Sequence, residues 1–242
     1  MLRVFLLTAV LLAMLSIVDD ASAQNLEEIV VTGSRISSFE DDTVPVVHLK
    51  RRPDFMVVSA YGESDSRDRD LRLSEVRKTL QSVSKQAAKT ANIELGLLRV
   101  FETDNNEIEF VVPFDLNDSK VTSGYRSDTS RVELVIKSPI LETDDDPEKI
   151  FERIEAFMDS VRVTGRAVVA DSGDPNYSLV NISQYRETLL RMIAADNESL
   201  RAIFGQQYQV SILGLEEPMR WRVTGPMELS IYFPYMSSLM VD

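Results

Sequence analysis

Apolar positions along the chain follow two spacings, and the switches between them mark the elements. From Ser66 to Asn92, Leu73, Val76, Leu80, Val83 and Ala87 recur at helical spacing with Arg, Lys and Gln on the other faces, which predicts a long helix. A second helix opens at Asp146-Pro147-Glu148, where Asp caps free amides, Pro suits the first turn and early acid suits the dipole. Its apolar stripe is Ile150, Ile154, Phe157 and Val161. A third runs from about Ser183 to Phe204 through Tyr185, Leu189, Met192, Ile193, Leu200 and Ile203, with Gly205 placed to end it.

Between the helices the spacing falls to two. Strands are expected at Val44–Leu49, Phe55–Gly62, Glu94–Glu102, Glu107–Phe114, Arg131–Ser138, Val163–Asp171, Tyr208–Leu213 and Trp221–Phe233. Asp104-Asn105-Asn106 is a turn, and Asp115–Ser130 a polar loop. Ile108, Phe110 and Val112 form one buried face, and Val132, Leu134 and Ile136 another. Antiparallel strands packed with about three helices give an α+β fold. It occupies residues 45–242 as a single domain, and its element order has the form of two related halves.

Residues 1–23 fit neither spacing. Arg3, the apolar run Val4–Val18 and the small-residue site Ala21-Ser22-Ala23 read as a signal peptide cut after Ala23. The run is about fifteen residues, short of the roughly twenty that span a bilayer as a helix. No later stretch is apolar enough to cross a membrane, so the expected location is the periplasm. Gln24–Val44 is polar and Ser-rich, with Glu40, Asp41 and Asp42, and reads as a flexible leader.

Charge narrows the partners. The net charge is −13, and removing Arg3, Asp19 and Asp20 with the signal peptide leaves −12. Nucleic acid and anionic membrane both demand a basic face, so neither is expected as a main partner. There are no cysteines, which excludes thiol catalysis, iron–sulfur clusters and a disulfide-stapled scaffold.

Within the leader, Ile29, Val30, Val31 and Thr32 are consecutive β-branched residues, stopped by Gly33 and Ser34. Such a segment suits strand addition to another protein's sheet edge, or forms the protein's own first strand. Glu27–Ile36, Glu-Glu-Ile-Val-Val-Thr-Gly-Ser-Arg-Ile, resembles the TonB box of TonB-dependent outer-membrane receptors. The resemblance implies the periplasmic domain of TonB as partner, bound through Glu28, Ile29, Val30, Val31, Thr32 and Gly33. It covers the leader alone. A receptor also has a plug and a barrel of tilted strands of roughly ten residues each, and residues 45–242 cannot hold both.

Residues 46–242 resemble the SIMPL-domain proteins, with Val57–Gly62 as first strand and Ser172-Gly173-Asp174-Pro175 as the turn. Gln184–Gly205 matches the long helix and Glu228–Tyr235 the end, although Leu189-Leu190-Arg191-Met192 replaces the usual Ala- and Lys-rich stretch. The resemblance implies an α+β envelope protein concerned with stress or assembly, which self-associates through its folded domain. It supplies no catalytic residues.

Candidate chemistry is sparse. Glu142, Asp144, Asp145 and Asp146 could attract a hard cation, but they lack the Gly-centred loop of a calcium site and stand where a helix needs a cap. His48 is the sole histidine, in an alternating segment, and reads as a strand-surface residue. Lys50-Arg51-Arg52 reads as a solvated strand end, and Trp221 points inward between outward arginines. No Gly-x-Ser-x-Gly elbow lies in the folded part. The expectation is a non-enzymatic protein without cofactor or metal, working through protein–protein contact.

Overall fold

The structure, a computed structural model, describes residues 28–31, 44–103, 106–205 and 207–241. In chain order its elements begin with β1 (Glu28–Val31), β2 (Leu49–Arg51), β3 (Phe55–Ser64), α1 (Arg69–Ala87), β4 (Glu94–Thr103) and β5 (Asn106–Pro113). Next come β6 (Val121–Thr122), β7 (Ser130–Pro139), α2 (Pro147–Ser160), β8 (Ala167–Asp171) and β9 (Asn176–Val180). A 3-10 turn, Ile182–Tyr185, leads into α3 (Arg186–Phe204), and β10 (Tyr208–Leu213), β11 (Arg220–Gly225), β12 (Glu228–Tyr232) and β13 (Met236–Val241) finish the chain. The fold is α+β, with every strand pair antiparallel.

Eight strands form one sheet in the order β6-β7-β4-β5-β1-β9-β3-β8, and an added β7–β3 pairing closes six of them into a barrel. β3 and β7 pair along their whole length, Phe55 opposite Pro139 to Ser64 opposite Ser130. On its other edge β3 divides its length: Phe55–Val57 take β9 to close the barrel, while Ala60–Ser64 take β8 as a flap. β7 does the same, with β4 at Val135–Lys137 and β6 at Arg131–Val132. Closure removes edges that would otherwise stand open to pairing.

A closed barrel has two faces to fill. Outward, Met56, Val58 and Ala60 of β3, Leu134 and Ile136 of β7, Leu179 of β9 and Ile29 of β1 join the helices in the main core. Leu80 and Val83 of α1, Ile150 and Ile154 of α2, and Leu189 and Ile193 of α3 are the helical half of it. α1 lies so close on β3 that a Cβ at Gly62 would come within 3.1 Å of Leu80 Cδ2. Inward, a smaller cluster of Val57, Val111 and Val135 packs with Phe55 and Leu98.

The helix starts follow their side chains. Asp68 accepts the Leu71 amide at 2.8 Å, and Asp146 accepts the Glu148 amide at 2.9 Å with Pro147 in the first turn. Gly205, at φ 103°, ends α3 in a conformation that side chains rarely adopt.

Several expectations are corrected. Residues 28–31 of the expected leader are a strand within the sheet, so the fold begins before Pro45; residues 24–27 and 32–43 lie outside the described residues, as does most of the turn at 104–106. The strand expected at Val44–Leu49 is β2, at Leu49–Arg51. The Phe110/Val112 face of β5 is only half buried, whereas Val111 on the opposite face is buried inside the barrel. Trp221–Phe233 is two strands, β11 and β12, with Met227 at φ 53° in the turn between them. β9 and β13 are strands that periodicity did not mark.

Candidate functional site

β1 is short, but its backbone is used on both sides. Ile29 pairs with Phe110 of β5, and Glu28 through Val31 pair with Val180 through Tyr177 of β9. Alternation then sends successive side chains to opposite faces of the barrel wall. Ile29 enters the outer core at 1% exposure, and Glu28 turns into the barrel.

Inside, the Glu28 carboxylate meets a buried ammonium. Lys137 Nζ of β7 donates to Glu28 Oε2 at 2.5 Å and lies 3.2 Å from Glu94 Oε2 of β4, while Ser178 Oγ of β9 donates to Glu28 Oε1 at 2.6 Å. The same ammonium stands 4.1 Å from the centre of the Phe55 ring. Five strands of the wall thus converge on one charged knot, β1, β4, β7 and β9 with polar groups and β3 with a ring. Its geometry is that of a fastening: each oxygen of Glu28 has a donor and Lys137 has two carboxylates and a ring. A buried pair of this kind adds little net stability over an apolar substitute, yet losing Lys137 is severe, because the Glu28 carboxylate is then left buried without a cation.

Of the expected partner-binding residues, the structure turns Glu28 into the barrel and Ile29 into the outer core, and pairs the backbones of Val30 and Val31 with β9. Thr32 and Gly33 lie outside the described residues. The residues that sequence reasoning missed are Lys137, Glu94 and Ser178. Lys137 carried a signal: it is the one charge in Leu134-Val135-Ile136-Lys137, a run otherwise apolar on both faces.

A second buried carboxylate belongs to α1. Glu75 Oε2 accepts from Ser64 Oγ at 2.6 Å and Ser66 Oγ at 2.8 Å. Burial pushes its pKa up, but those two hydroxyls, with help from Arg166, hold it below the ordinary glutamate value. Gly165, at φ 61°, leaves room for it, since a Cβ there would overlap Glu75 Oε1. Arg166 also forks onto Asp65 at 2.6 and 2.7 Å.

The other residues singled out have local work. Asp144 binds Arg153 at 2.9 Å and the Leu141 amide at 2.9 Å, Asp145 binds Lys149 at 2.7 Å, and Asp146 caps α2. Among the described residues no group of three or more His, Cys, Asp or Glu is placed to hold a metal ion. His48 Nδ1 lies 2.8 Å from the Pro45 carbonyl oxygen, in the loop before β2. Lys50-Arg51-Arg52 is an exposed strand end, as expected, and each side chain also has a partner: Lys50 reaches Glu228 at 3.0 Å, Arg51 reaches the Tyr185 hydroxyl at 2.9 Å, and Arg52 reaches the Asp144 carbonyl. Trp221 packs half-buried against the core, with Arg220 exposed. A cavity of about 230 Å³ lies between β3, β4 and β7 beside Lys120; its one carboxylate, Glu133, is 3.2 Å from Arg131.

Comparison with models of protein families and with curated proteins finds no match to this chain. No described helix is long and apolar enough to cross a membrane.

Proposed function

We propose that this is a non-enzymatic, exported envelope protein that works by protein–protein contact through its folded domain, with the TonB-box-like segment serving as a strand of that domain. The observation that carries this is β1 itself, paired on both edges and pinned by Glu28 to Lys137 and Ser178. A strand held this way offers no free edge, and strand addition needs one. The buried charged groups Glu28, Glu75, Lys137 and Asp144 each have a structural partner, which supports a structural rather than a chemical role for them. Export to the periplasm rests on residues 1–23, and a stress or assembly role rests on the resemblance of residues 46–242 to SIMPL-domain proteins.

A second reading, favoured by the ten residues Glu27–Ile36, is docking on the periplasmic domain of TonB, with β1 leaving the barrel to do so. Binding of the chain to that domain, with and without residues 27–36, separates the two. The first reading expects no binding by either chain and a lower melting temperature for the deletion. Binding that disappears with the deletion, at unchanged melting temperature, would overturn it.

A further inference from the structure

The other end of the chain presents the reverse of β1. β10 and β13 pair with each other over six positions, Tyr208 opposite Val241 to Leu213 opposite Met236, and form a two-stranded sheet of their own. α3 covers one face: Ile212 joins the core, and Phe204 meets Tyr208 edge-on at 6.5 Å. The opposite face carries Leu213, Met236 and Met240, which are 62%, 71% and 49% exposed. Neither strand, Tyr-Gln-Val-Ser-Ile-Leu nor Met-Ser-Ser-Leu-Met-Val, contains a charge or a proline, although 27% of the chain is charged. Native edges are normally guarded by such residues, and a two-stranded ribbon alone is marginal in water.

We infer that β13 is a dimerisation edge, pairing antiparallel with β13 of a second copy of this chain about a twofold axis at Ser238. Two arguments select a second copy. The first is charge: at net −13, two chains repel over most of their surface, and a stretch without charge lets them approach. The second is sequence symmetry. Met236-Ser237-Ser238-Leu239-Met240 is close to a palindrome about Ser238, so the twofold places Met236 opposite Met240 of the second copy and Ser238 opposite Ser238. The two ribbons become one four-stranded sheet, and the exposed methionines of each copy flank those of the other on its open face.

This rests on the reading that the folded domain works by contact, and it is tested separately from the role of β1. Sedimentation of the purified chain over about 1 to 100 µM should show a dimer. Met236→Glu with Met240→Glu should weaken association by about tenfold or more, through like charges set face to face, while the melting temperature of the dilute, monomeric chain is unchanged. Because the chain has no cysteine, Ser238→Cys supplies the sole thiol and should form a disulfide dimer on mild oxidation, while Ser123→Cys on an exposed loop should not. A wild-type chain that stays monomeric throughout, or a Ser238→Cys chain that cross-links no faster than Ser123→Cys, would overturn the pairing. Either result leaves β1 untouched, since the place of β1 is read from the melting temperature of the deletion chain.

Discussion

β1 and β13 are both short strands rich in apolar residues, β-branched in β1 after Glu28 and flexible in β13, yet their surroundings differ completely. β1 has a neighbour on each edge, one residue in the outer core and one in an ion pair inside the barrel. Among the described residues β13 has one neighbour, and Met236, Leu239 and Met240 are exposed at 71%, 38% and 49%. Adhesive composition therefore does not by itself free a strand for pairing; an edge left unpaired among the described residues is needed as well. The segment that looks most like a docking peptide has its backbone already engaged, and the plainer segment has an edge to offer.

The comparison is broken most forcefully at Lys137. Lys137→Ala leaves the Glu28 carboxylate buried without its cation and should lower unfolding free energy by about 3–5 kcal/mol in urea titration. Joining Lys137→Met to Glu28→Gln removes both charges and should recover most of that loss; failure to recover would mean that the knot itself, and not the stranded charge, holds β1. Val31→Pro deletes one amide opposite Tyr177 and should cost about 1–3 kcal/mol, with no change in the association of β13. Asp146→Ala, in neither strand, should cost about 1 kcal/mol through the lost cap of α2.

The smallest effect is one of pH. Glu75 is held below its ordinary value in the fold, so the unfolded chain binds its proton first as the medium is acidified. Its contribution is complete above the ordinary glutamate value of about 4.5 and is lost as pH falls through the lower folded value. Glu75→Gln should therefore flatten the acid side of the stability profile while leaving the slope near neutrality unchanged.

Much of this was legible locally. Asp68 and Asp146 cap helices whose apolar stripes were visible by spacing, and Val132, Leu134 and Ile136 do form the outer face of β7. What stayed hidden was the second face. Val135 and Lys137 point into a barrel that exists only after β3, β4, β5, β1 and β9 have closed around it, and alternation alone describes that face as wet. The place of β1 was hidden for the same reason, because the residue that pins Glu28 lies 109 positions away. β9 escaped because Ser178 interrupts its short apolar run to meet Glu28, and β13 because Met-Ser-Ser-Leu-Met follows neither period.

The position of β1 also sets a timetable. Synthesis delivers this strand first, but Ser178, which closes on Glu28, comes 150 residues later. Until then β1 can take only its pairing with β5 at Phe110 and the contact of Glu28 with Lys137, and its other edge has no partner. The first described strand thus depends on a partner 150 residues away, and closing so long a loop should be a slow step in forming the barrel.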